Sequence, residues 1–210
     1  MLHNYESSVD QMADAFRKYP WDNKLAYAEF LAQTYYYVCH STRLLAASAA
    51  RFSQEDQALH KRFMKHSEEE TSHELLALRD LQKLGFDIKD FPEMPQTRTM
   101  YEIQYYKIEH RDPAALMGYI LALETMAGRE IQATKEKLFG LYGKECSRFI
   151  QVHADEDPDH IEKALKVIES LRQERLGAID HNLEQSAICY TDMLAAAKAR
   201  ALGQYLKKVA

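Results

Sequence analysis

The chain has 210 residues, with 27 basic and 32 acidic side chains and a formal net charge of −5, and its basic residues form no stripe that would attract nucleic acid or an anionic membrane. Hydrophobic residues make up 46% and charged residues 28%, the balance of a globular protein with a sizeable core. No apolar run is long enough to span a bilayer, and the opening MLHNYESSVD lacks a basic n-region and an apolar h-region, so a cytoplasmic protein without a signal peptide is expected.

The counts of 7 Gly and 5 Pro are low, and with abundant Ala, Leu, Glu and Lys they favour helices over strands. A first helix is expected from Tyr5 to about Lys18, stopped near Pro20. A second is expected from Lys24 to Ala50, its inner side carrying Leu25, Phe30, Leu31, Tyr37, Leu44 and Leu45. Ser53 with Asp56 resembles a capping box that opens a third helix, running through Phe63 and Leu75 to Leu84, with Gly85 ending it. Phe86 to Gln96, with Pro92 and Pro95, reads as the longest loop. A fourth helix follows from Thr97 to His110. Asp112 and Pro113 then supply an N-cap and a first-position proline for an apolar helix reaching Leu141, with Gly143 after it. A sixth helix starts near Lys144; Pro158 predicts a kink in it, or a break with Asp157 as a new N-cap. The last segment, Asp159 to Lys207, reads as a helix or helix pair bending near Gly177. The expectation is one all-α domain over residues 1–210, a bundle of about seven helices.

Cys39, Cys146 and Cys189 are far apart and form no C-x-x-C, as free thiols in a reducing compartment would be. The histidines and acids are more informative. His153, Asp157 and His160 form H-x-x-x-D-x-x-H, which on a helix puts two imidazoles and a carboxylate on one face. Glu70 and His73 form E-x-x-H, the ligand pair of helix-bundle di-iron carboxylate sites. Glu69 competes with Glu70 for that role, and His66 lies a turn back on the same stripe. Glu124 sits in an otherwise apolar stretch, AALMGYILALETMAG, where a lone carboxylate costs several kcal/mol unless it is paired, protonated or metal-bound. The bland alternative pairs Glu124 with Arg43 or Arg129.

Glu70, His73, Glu124, His153, Asp157 and His160 give three imidazoles and three carboxylates from three helices. Two iron or manganese ions want such a mixed set with carboxylates able to bridge; zinc needs fewer ligands, and calcium or magnesium disfavour imidazole. These residues resemble the heme-oxygenase-like di-iron oxidases, within the wider helical group that includes TenA and PqqC proteins. The match is carried by His153, Asp157 and His160, by Glu124 on the preceding core helix, and by Glu70 with His73, and the helix order fits from Leu25 onward. Some members place the first glutamate seven residues before the ligand histidine, where this chain has His66. The resemblance implies a heme-oxygenase-like fold and an oxidoreductase with two irons (manganese being the alternative). It also implies O₂ as co-substrate and a small amino acid, amine or fatty acid as substrate, with Glu124 bridging the metals.

Around this set, Tyr35, Tyr36 and Tyr37 point three ways from the second helix, with one able to approach the metals. Met117, Met126 and Gly128 are candidates for a cavity wall, Arg43 and Arg129 for holding a substrate carboxylate, and His110 and His181 read as surface residues. Three rival readings stand beside the di-iron oxidase. A ferritin-like site would use Glu29 and not His153; a metal-free TenA-like hydrolase would need a cavity-facing cysteine; a non-catalytic module would bind a protein partner. No nucleic-acid or membrane partner is expected, and a homodimer is compatible with an elongated helical domain.

Overall fold

The computed structural model describes residues 2–169 and 171–209, with side chains apart from 156–160 and 204–209. Among the described residues there are nine α-helices and no strand: α1 (Tyr5–Arg17), α2 (Lys24–Val38), α3 (Ser41–Arg51), α4 (Gln57–Glu69), α5 (His73–Lys83), α6 (Pro95–His110), α7 (Leu116–Tyr142), α8 (Arg148–Glu169) and α9 (Gln173–Val209). Short 3₁₀ turns precede α4, α6, α7 and α8. The all-α architecture matches expectation, with nine helices in place of about seven.

Local chemistry sets many of the boundaries. The Asn23 side chain accepts the N–H groups of Leu25 and Ala26 at 3.0 and 3.1 Å and opens α2. The Asp112 carboxylate accepts Ala114 N–H at 2.8 Å, and Pro113 starts the turn that leads into α7. Gly143 closes α7 with φ of 85°, a conformation that penalises any side chain. Ser53 is not the capping residue expected: its hydroxyl donates to the Asp56 carboxylate at 3.3 Å and makes no cap to the backbone. The Phe86–Gln96 segment is shorter as a loop than expected, because Ile88–Asp90 form a 3₁₀ turn and α6 already starts at Pro95.

Two expected helices are each two. The Lys24–Ala50 helix breaks at Cys39 and His40, neither glycine nor proline. The His40 ring stacks on Tyr101 of α6 at 3.7 Å between centroids, and its Nδ1 shares a hydrogen bond with the Tyr105 hydroxyl at 3.0 Å. A tertiary contact therefore holds the corner. The Ser53–Leu84 helix breaks over Glu70–Ser72, where Ser72 takes φ of 73°. A left-handed serine is a strained position, of the kind that tends to mark functional segments. The opposite correction applies at Pro158: α8 is a single helix from Arg148 to Glu169, with no new helix start at Asp157. The turn of the chain comes later, after Glu169, and α9 begins at Gln173, so Gly177 lies inside a helix.

Helix α7 is the centre of the bundle, packed on α1, α8 and α9. A Cβ on Gly118 would meet the Ile179 carbonyl oxygen at 2.1 Å, so α7 and α9 touch backbone to backbone there. The α2 end of the core is aromatic: Trp21 packs on Phe16 and Phe30 at 4.6 and 4.9 Å between centroids, and its indole N–H donates to the Phe16 carbonyl at 2.8 Å.

Candidate metal centre

The break between α4 and α5 assembles the first part of the site. Glu70 caps the C-terminal end of α4 and His73 is the first residue of α5, so the E-x-x-H pair straddles a corner and does not lie along one helix. Glu70 Oε2 still lies 3.4 Å from His73 Nδ1. The neighbouring Glu69 pairs instead with Lys65 at 3.6 Å. His153 comes from α8, and its ring stands edge-on to His73 with 5.2 Å between centroids. Glu70, His73 and His153 each offer a ligand atom, and these atoms all lie within 4.8 Å of one another.

His153 is prepared by its backbone. The Phe149 carbonyl lies 2.8 Å from His153 Nδ1, which makes Nδ1 the donor and leaves Nε2 with its lone pair for a ligand. The N–H of that same Phe149 donates to the carboxylate of Asp80 at 2.8 Å. Asp80 belongs to α5, so one buried carboxylate ties the helix of His73 to the first turn of the helix of His153. Burial lifts the Asp80 carboxyl to about 6, against the stabilising N–H groups of Phe149 and Arg148. Sequence reading missed Asp80. Its signal was a carboxylate on the buried stripe of α5, beside Ala77 and Leu81.

Glu124, 8% exposed on α7, joins through His66. His66 Nε2 lies 3.2 Å from Glu124 Oε1 and 3.5 Å from Glu70 Oε1, between the two carboxylates. Burial alone would lower the His66 pKa; hydrogen bonds and charge from Glu124 and Glu70 outweigh it and raise it to about 9. Burial likewise works to raise the Glu70 carboxyl, and His66, His73 and His153 together hold it well below the usual carboxylate range. His66 therefore lies beside Glu70 and Glu124. Asp157 and His160 have side chains outside the described residues; their backbone continues α8.

The expected arginine partners of Glu124 are elsewhere. Arg129 pairs with Glu6 and Asp10 at 2.7 and 2.9 Å, and Arg43 donates to the Cys39 carbonyl. Glu29, the ligand of a ferritin-like alternative, is fully buried and pairs with Arg200 at 2.6 and 2.9 Å. It belongs to a network with Gln33 and not to the Glu70, His73 and His153 cluster.

His66, Glu70, Glu124 and His153 border a cavity of about 100 Å³. Its walls are largely aliphatic and aromatic, with Phe16, Phe30, Leu44, Leu116, Leu123 and Ile131 from α1, α2, α3 and α7. Tyr37 and Met126 also line it; Met117 lines a second, smaller pocket beside His66, and Gly128 faces Ile161. Among the described residues, no arginine, lysine or cysteine borders the main cavity. Burial raises the pKa of all three thiols, which disfavours a thiolate nucleophile of the TenA-like kind. His110 and His181 are exposed, as expected.

A helical bundle with imidazoles and carboxylates bordering a largely apolar cavity is the arrangement of a helical metal-dependent redox protein. The comparisons specify the class. The profile of a family described as iron-containing redox enzymes matches residues 28–190, and the chain belongs to that family. The fold is heme-oxygenase-like. A domain of unknown function with a heme oxygenase-like fold from Shewanella denitrificans superposes with a TM-score of 0.84 at 23% identity, over 97% of this chain and 95% of that one. A TenA homolog from Pseudomonas syringae pv. tomato superposes with a TM-score of 0.76 at 11% identity, over 93% of this chain and 90% of that one. No curated protein matches the chain in sequence. No described helix is long and apolar enough to cross a membrane.

Proposed function

We propose that the protein is a non-heme di-iron oxidase that uses O₂ on a small, largely apolar organic substrate. The observation that carries this reading is the convergence of Glu70, His73 and His153, two of which, Glu70 and His153, border a largely apolar cavity, in a member of an iron-containing redox family. The donor set suits iron: two imidazoles and a carboxylate within mutual reach, with a second carboxylate, Glu124, one histidine away. Glu70, His73, His153 and Glu124 would hold the iron, together with Asp157 and His160, whose side chains lie outside the described residues. Iron in such a setting supplies electrons to O₂ and the oxidising power for the substrate.

The chain's own residues supply orientation and exclusion of water. Phe149 fixes His153 through Nδ1, and Asp80 fixes Phe149. His66 Nε2 lies between Glu70 and Glu124, whose charge favours a proton on it, and these same carboxylate oxygens would be the ones to hold a cation. The aliphatic walls desolvate an apolar substrate and keep bulk water from the reacting end. With no lysine or arginine among the described lining residues, the cavity favours a hydrocarbon-rich substrate over a strongly polar one.

The test is ferrous loading without air, followed by iron analysis and O₂ uptake. The parent chain is expected to retain two irons and consume O₂. Glu124→Ala is expected to lose at least tenfold in iron affinity, in line with the loss of a ligand. Equal iron content and equal O₂ uptake in the two proteins overturn the proposal.

A further inference from the structure

Helix α7 carries a tyrosine in its most apolar stretch, Leu116 to Leu123, and nothing in the metal cluster accounts for its hydroxyl. Tyr119 is 4% exposed and lines the main cavity. Its hydroxyl is buried without a hydrogen-bond partner among the described residues. Other tyrosines of the bundle are satisfied: Tyr19 donates to the Ala26 carbonyl, Tyr27 to that of Cys146 and Tyr142 to that of Trp21, at 2.8, 2.8 and 2.9 Å. Tyr101 donates to the Glu93 carboxylate at 2.9 Å. Tyr119 is the one tyrosine among the described residues with a buried, unsatisfied hydroxyl. Interiors seldom accept such a group, because phenylalanine fills the same space without losing hydration.

Tyr119 borders the same cavity as Glu70, Glu124 and His153. The lining holds no described lysine or arginine that could hold a substrate's polar group. The lining's neutral hydroxyl donors are those of Ser41, Tyr37, Tyr119 and Tyr190, and of these the Tyr119 hydroxyl is the one buried without a hydrogen-bond partner among the described residues. A neutral donor suits an acceptor such as a carbonyl, ether or ester oxygen.

We infer that Tyr119 is the substrate-anchoring donor of this cavity, selecting hydrocarbon-rich molecules that carry a hydrogen-bond acceptor and presenting them to the cluster. This deepens the proposed oxidase reading, on which it rests for the identity of the reaction but not for the binding. The remaining contacts of such a molecule are dispersion and desolvation against the walls, which discriminate weakly. The hydroxyl supplies the directional contact that fixes which end faces Glu70 and His153.

The experiment compares two probes of one shape, cyclohexanone and methylenecyclohexane, on the full-length chain, iron-free and ferrous-loaded under argon, followed by isoleucine methyl shifts. The ratio of ketone to hydrocarbon affinity is expected to fall about fivefold to tenfold in Tyr119→Phe, with hydrocarbon affinity unchanged. The thermal midpoint of the variant is expected to hold or rise, since no internal hydrogen bond is lost. An unchanged ratio, failure of both probes to bind the parent, or a midpoint lowered by several degrees overturns the inference. The two readings fail separately. Selectivity in a chain that retains no iron sinks the oxidase and keeps the anchor; iron binding and O₂ uptake without selectivity do the reverse.

Discussion

Glu29 and Glu124 are both buried carboxylates on core helices, and they differ in partner. Glu29 on α2 is closed by the Arg200 fork at 2.6 and 2.9 Å and by the Gln33 amide at 2.8 Å. Gln33 in turn accepts from Met94 N–H and the Thr97 hydroxyl, so the network stitches α2 to the start of α6 and to α9. Glu124 on α7 faces His66, which also reaches Glu70. A guanidinium does not surrender its proton in a protein, so the first carboxylate has no capacity to exchange partners. An imidazolium can surrender its proton, so the second can exchange a proton for a metal ion. Burial of an acid therefore does not by itself mark a functional site; the partner decides whether the carboxylate is closed or free to exchange.

The largest expected effect comes from breaking the closed centre. Arg200→Ala strands Glu29 and should cost about 3–5 kcal/mol, on the order of 10 °C in the thermal midpoint. Iron content per folded chain should not change. Loss of iron together with stability would erase the distinction between the two centres.

Asp80→Ala should act on both properties at once. It leaves Phe149 N–H without its acceptor, at about 1–3 kcal/mol by chemical denaturation, and loosens His153, at about tenfold in iron affinity. Asp80→Asn, which can still accept that N–H, should recover most of both. A positioning role is sunk if the asparagine and alanine variants bind iron equally well.

The open centre should be visible in pH titration of the metal-free chain. The folded pKa of His66 is raised from 6.5 to about 9, so its contribution is fully present below 6.5 and is lost as pH rises through 9. Glu70 is depressed, so its contribution is present above its ordinary value of 4.5 and is lost on acidification. The parent chain should therefore lose on the order of 5 °C of midpoint between pH 6.5 and 9.5. His66→Gln should flatten that slope, and Arg200→Ala should leave it intact. An equal slope in parent and His66→Gln rules out the imidazolium.

The smallest effect lies at the corner that builds the site. Ser72 pays for a left-handed conformation, and Ser72→Gly should raise stability by about 0.5 kcal/mol. If the corner also sets the Glu70–His73 spacing, the added freedom should weaken iron binding slightly while the fold gains.

Much of the architecture was legible in the chain itself. Asp112 with Pro113 and the glycines at 85 and 143 mark boundaries because their local chemistry is sufficient there. Glu124 was legible as a buried carboxylate in need of a partner, because an acid in an apolar stretch needs one wherever it goes, and the structure puts His66 beside it. The breaks at Cys39–His40 and Glu70–Ser72 were not, because no glycine or proline makes them. One is held by His40 on Tyr101, the other by a strained serine. At Pro158 the break with a new N-cap at Asp157 does not occur, because α8 continues through it.

By itself, then, the sequence determined helical class, the main caps, and an inventory of acids and histidines rich enough for a metal centre, since these depend on residue type and on neighbours three or four positions away. Tertiary structure decided which acid is closed by arginine and which stands by histidine, that Asp80 joins the helix of His73 to that of His153, and that the Tyr119 hydroxyl lies buried without a hydrogen-bond partner among the described residues. Those outcomes depend on which groups meet across helices far apart in the chain, and a side chain's charge, proton and partner are properties of that meeting.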